Sequence, residues 1–125
     1  MTSADYDRLA GELMTLAREI ETSKRPGYTV SSGDVLQNFK AAASRAGITP
    51  EQAWVVLVSK HFDAITAIMA HPDLPVSEAP SGRFADAINY LRLGWALLAE
   101  RSSSAAPTVR SVTAFDISSE TYEWR

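Results

Sequence analysis

The chain has 125 residues, of which 46% are hydrophobic, with a formal net charge of -3 and no cysteine. That length makes one domain with a modest core. The acidic balance argues against a dedicated duplex-DNA binder, which needs basic excess to neutralise phosphates, and the lack of cysteine excludes disulfides, thiolate zinc sites and a cysteine nucleophile.

The first predicted helix runs from about Ala4 to Thr22, with Ser3 as N-cap and Asp5 and Asp7 in the first turn, where the helix dipole favours negative charge. Tyr6, Leu9, Leu13, Leu16 and Ile20 recur at three- and four-residue steps and make a narrow apolar stripe. Such a stripe packs on the protein's own core or forms a dimer seam. Lys24-Arg25-Pro26-Gly27 is expected to end the helix. A second helix is expected from Ser32 or Asp34 to Gly47, with Leu36, Phe39 and Ala43 buried and Gly47 at the C′ position.

The third helix has the clearest start signal, with Thr49 as N-cap, Pro50 at the first helical position and Gln52 completing a capping box. Its sequence, through Trp54, Leu57, Val58, Phe62, Ile65 and Met69, is apolar over most of its circumference. This predicts the central, most buried helix, stopped at His71-Pro72. After a loop from Pro72 to Pro80, a fourth helix is expected from Ser81 to Arg101, with a second stripe at Phe84, Ile88, Leu91, Trp95 and Leu98. Gly94 inside it costs about 1 kcal/mol relative to Ala, and leaves room for close approach of a neighbouring helix or ligand. Residues 102–107 read as a linker and Thr108 to Ile117 as a β-branched strand or extended arm, ending in Tyr122 and Trp124.

The expected architecture is therefore all-α: a four-helix bundle-like core over residues 1–101, followed by a linker and extended arm over 102–125. No signal peptide is expected from the first residues, and no apolar run reaches the ~18 residues of a membrane span.

Lys60 and Asp63 on the third helix share a face, as do Arg83, Asp86 and Asn89 on the fourth. If the helices pack antiparallel, these faces meet, either as a salt-bridge network or as a polar pocket with cations for phosphate and Asp86 and Asn89 for a sugar or base. The same geometry predicts that Lys60 and Asp86 approach each other. Tyr28 either covers the core or closes over a ligand. His61 and His71 lack metal-ligand spacing, and no serine lies in a nucleophile elbow, so no cofactor or metal is expected.

Three blocks then carry a family resemblance: Gly33-Asp34-Val35-Leu36-Gln37-Asn38-Phe39, Val58-Ser59-Lys60-His61-Phe62-Asp63-Ala64-Ile65, and Gly82-Arg83-Phe84-Ala85-Asp86-Ala87-Ile88-Asn89-Tyr90-Leu91. Together, over residues 28 to 101, they resemble the helical nucleotide-modification-associated domain of phage genomes. Asp86, Asn89 and Tyr90 match that family's Asp-x-x-Asn-Tyr helix and Lys60 its helix lysine, whereas Asp63 stands where the family often has arginine. The resemblance implies a nucleotide or nucleotide-derived ligand at Lys60, Arg83, Asp86, Asn89 and Tyr90, and a host-cytoplasm or virion location. The last helix also looks like that of MazG-type all-α pyrophosphohydrolases. Their magnesium-holding Glu-Glu-x-x-Glu cluster is missing here, so nothing in the chain marks it as an enzyme. The alternative expectation is a structural or interaction protein, such as a virion accessory or assembly factor. It would form a homo-oligomer or meet a protein partner through the first helix and residues 108–125, with no duplex DNA or membrane involved.

Overall fold

A computed structural model describes residues 1–29 and 33–105. Its four helices are α1 (Ser3–Thr29), α2 (Gln37–Ala46), α3 (Pro50–Ala70) and α4 (Pro80–Ala105), with no strand among the described residues. The all-α expectation holds. The expected arm lies outside the described residues.

Each helix start follows local chemistry. Thr2, rather than Ser3, caps α1: its hydroxyl accepts from the Asp5 N–H at 3.1 Å, while the Asp5 carboxylate accepts from the Thr2 N–H at 3.3 Å and hydroxyl at 2.7 Å. The Asp34 carboxylate accepts from the Leu36 N–H at 2.9 Å just before α2. Gly47, with φ +67°, closes α2 in the left-handed conformation that glycine adopts without steric cost. At α3 the reciprocal Thr49–Gln52 capping box forms, with Pro50 behind it.

Two boundaries differ from expectation. α1 continues through Pro26 to Thr29 instead of ending near Thr22 before a turn at Lys24–Gly27. Proline removes one backbone donor from the helix interior, but the surrounding turns have other ties: Arg25 pairs with Glu21 at 2.8 Å, the Thr29 hydroxyl donates to the Arg25 carbonyl at 3.0 Å, and Lys24 reaches Asp86 on α4 at 3.4 Å. α4 runs on to Ala105, taking in most of the expected linker, with the Ser103 and Ser104 hydroxyls donating to the carbonyls four residues back.

α4 packs on α1 along one side and on α3 along the other, and α2 packs chiefly on α3. α3 and α4 form an antiparallel hairpin: Glu51 at the start of α3 meets Arg101 near the end of α4 at 3.4 Å, and Trp54 bonds the Tyr90 carbonyl. The core gathers Leu36, Phe39 and Leu97, with Trp54, Leu57, Tyr90, Leu93 and Ala96 packed around them. Lys40 bonds both Asp34 and Glu100 at 2.6 Å, tying the start of α2 to the end of α4. The Asp34 hydrogen bond raises the Lys40 pKa, and Lys40 in turn holds the Asp34 carboxyl below the usual carboxylate range.

α3 is not the buried centre that its composition suggests. Ala53, Val58 and His61 are buried, but Val55, Val56, Phe62 and Met69 are exposed. Among the described residues α3 has neighbours only on its α2 and α4 sides, so it has more apolar circumference than these helices cover. α4 likewise turns Leu91, Trp95 and Leu98 outward and buries Ala85, Ala87, Asn89 and Leu97. Small residues permit that choice, because they bring helix backbones together and leave the large side chains outside. By length and composition alone α3, at mean hydropathy 1.4, is also apolar enough to cross a membrane.

Candidate functional site

Two features stand out: a polar crevice between α1 and α4, and an apolar groove between α3 and α4.

The crevice, of about 50 Å³, is lined by Ile20, Glu21, Lys24 and Arg25 of α1, by Val35, and by Asp86, Asn89, Tyr90 and Leu93 of α4. Asn89 is buried, and its amide nitrogen donates to the Ala17 carbonyl at 2.8 Å. That bond fixes the amide orientation and leaves Oδ1 without a partner among the described residues. Asp86 pairs with Lys24. The Tyr90 ring meets Phe39 edge-on at 6.0 Å and lies 4.5 Å from the His61 ring.

His61 is buried, and neither ring nitrogen has a partner among the described residues. Burial pushes its pKa down, the Asp86 carboxylate opposes that shift, and Lys60, Arg83 and Lys24 reinforce it. The protein environment therefore favours the neutral form of the imidazole.

Of the five residues singled out in the sequence, Asp86, Asn89 and Tyr90 line this crevice. Lys60 is exposed and forms no ion pair among the described residues, and the direct partner of Asp86 is Lys24. Arg83 pairs with Glu78 at 3.2 Å and faces a separate hollow with His71, Leu74 and Val76. The cation at Asp86 escaped the sequence reading because residues 24–27 look like a turn, whereas the extra helical turns carry Lys24 alongside α4. The Tyr28 side chain lies outside the described set. No group of three or more His, Asp or Glu side chains among the described residues is placed to hold a metal.

The groove, of about 400 Å³, lies on the outer side of the α3–α4 hairpin, walled by Trp54, Val55, Leu91, Trp95 and Leu98, with Glu51 at one end. Its floor is set by Gly94, where an added Cβ would lie 2.6 Å from the Trp54 ring. Trp95 is 68% exposed, Val55 55%, Leu98 53% and Leu91 51%. Phe62, two turns beyond Val55 on the same side of α3, is also exposed. Of the α1 stripe, Leu13, Leu16 and Ile20 are partly covered, beside the buried Ala17, while Tyr6 and Leu9 stay exposed.

No family model, no curated protein and no solved structure matches the chain.

Proposed function

We propose that this chain is a structural or interaction protein that works by burying the outer face of its α3–α4 hairpin against protein. The observation that carries the reading is the alignment of Val55 and Phe62 with Leu91, Trp95 and Leu98 on one side of two packed helices that no described residue covers. Scattered exposed apolar residues need no explanation, but a contiguous patch centred on a tryptophan is characteristic of an interface core. A photo-crosslinking amino acid in place of Trp95, in cells producing the chain, should give protein adducts, whereas the same group at Val56 should give none. Equal labelling at both positions, or none at Trp95, would refute the reading.

A second reading, ligand binding at the crevice, draws on the unpartnered Oδ1 of Asn89 beside the Asp86 carboxylate. At about 50 Å³ the crevice holds a few water-sized groups, not a whole nucleoside. A nucleotide-derived ligand would therefore present only an amino edge to it. Thermal stabilisation by nucleosides or nucleotides, lost in Asn89→Ala, tests this; no shift with any of them counts against it.

A further inference from the structure

We infer that the occupant of the α3–α4 face is a second copy of this chain, the two hairpins closing into an intermolecular four-helix seam. The inference rests on the reading above, that the face docks on protein, and names the partner.

Three properties of the face point to self-pairing. The first is its shape. On α4 the stripe runs Phe84, Ile88, Leu91, Trp95, Leu98, and on α3 the aligned side runs Val55, Ser59, Phe62, Thr66, Met69. Both follow alternating four- and three-residue steps, the spacing of a bundle seam. Both cover the same length, about 21 Å at 1.5 Å per residue. The face is thus one layer of two antiparallel helices whose stripes have equal length and are staggered by about one turn, and a two-fold axis supplies a second, identical layer.

The second property is charge. The stripes carry no charged side chain, and the charges at one end, Glu51 and Arg101, already pair with each other. A charged partner surface would lose its hydration here without gaining a counterion. A second copy of the face brings no charge into the contact.

The third is area. Val55, Phe62, Leu91, Trp95 and Leu98 leave on the order of 500 Å² of apolar side chain uncovered, the size of the largest patch on a typical monomer. Two such faces together supply about 1,000 Å², the lower bound for a specific interface, before backbone and flanking residues are included. The exposed tyrosine and leucine at the start of α1, Tyr6 and Leu9, form a smaller patch on a different helix.

The test is the solution mass of the full chain, measured by light scattering from low to high micromolar concentration. A mass of twice 13.6 kDa is expected. Trp95→Glu should return it to the single-chain mass with its helical circular dichroism intact, since Trp95 is 68% exposed and its replacement disturbs little inside the chain. Val56→Glu, similarly exposed but about 100° round α3 from the Val55 stripe, should keep the doubled mass. A wild-type chain that stays single at high micromolar concentration overturns the inference. So does a Trp95→Glu variant that keeps the doubled mass. Adducts from position 95 whose partner is a different protein overturn self-pairing and leave the docking reading standing. Adducts joining position 95 to residues 106–125 of the same chain overturn both.

Discussion

The indole N–H of Trp54 donates to the carbonyl of Tyr90 at 2.7 Å, and the same ring lies against Gly94, one helical turn further along α4. The bond and the close approach depend on each other. Only a residue without a side chain at position 94 lets the indole reach the α4 backbone, because a Cβ there would fall 2.6–2.8 Å from three ring atoms.

Gly94→Ala is therefore expected to destabilise the fold although alanine is the better helix former. Overpacking costs about 1–3 kcal/mol against about 1 kcal/mol gained in helix propensity. Chemical denaturation should show a lower midpoint. An unchanged or higher midpoint would mean that the ring slides away at no cost.

His61 gives the fold a pH dependence whose sign follows from burial. Its folded pKa lies below the ordinary value of 6.5, so the unfolded chain binds the proton more readily. The neutral ring's contribution is complete above about pH 6.5 and is lost as the pH falls through that value toward the lower folded pKa. His61→Leu should flatten the stability profile over this window. It should also raise stability near neutrality by about 1 kcal/mol, by removing unpartnered buried nitrogens. Denaturation midpoints at closely spaced pH values check both points.

At Asp86 the partner is Lys24, and the lysine is half exposed. Lys24→Ala should cost no more than about 1 kcal/mol, as exposed pairs do. Lys60→Ala should leave stability unchanged. A double-mutant cycle with Asp86→Asn should find coupling to Lys24 and none to Lys60. Coupling to Lys60 instead would reassign the pair.

The bond from the Asn89 amide to the Ala17 carbonyl joins α1 to α4 through one buried side chain. Asn89→Leu removes the donor along with an acceptor that has no partner among the described residues, so its cost should stay near 1 kcal/mol. Asn89→Asp places a carboxylate against a carbonyl oxygen and should cost about 3 kcal/mol or more. Thermal denaturation of the two variants separates these effects.

The helix starts and stops were legible where the chemistry is local. The Thr49–Gln52 box and the left-handed Gly47 need only their immediate neighbours, and both form. The end of α1 was not legible, because Pro26 reads as a breaker until α4 is present to hold Lys24. The orientation of α4 was hidden for a related reason. Periodicity marks an apolar stripe without saying whether this chain or another covers it, and in α4 Ala85, Ala87 and Gly94 draw the inner contact away from Leu91 and Trp95. Asp86 and Asn89 were legible together because their spacing puts them on one side of a helix, but the same spacing grouped Arg83 with them, which turns to Glu78 instead, and Tyr90 entered only through the family motif. Lys24 and His61 become their neighbours only through tertiary packing.

The way α1 is attached has a kinetic consequence. The α3–α4 hairpin closes a short loop, whereas α1 docks on α4 across most of the described chain, through the bond from Asn89 to Ala17 and the pair of Lys24 with Asp86. Closing the longer loop is entropically dearer, and α1 is held by few buried side chains. α1 should therefore join the folding chain last and detach first. In native-state hydrogen exchange its amides should open as one cooperative unit, at lower free energy than those of α3 and α4 around Trp54 and Tyr90.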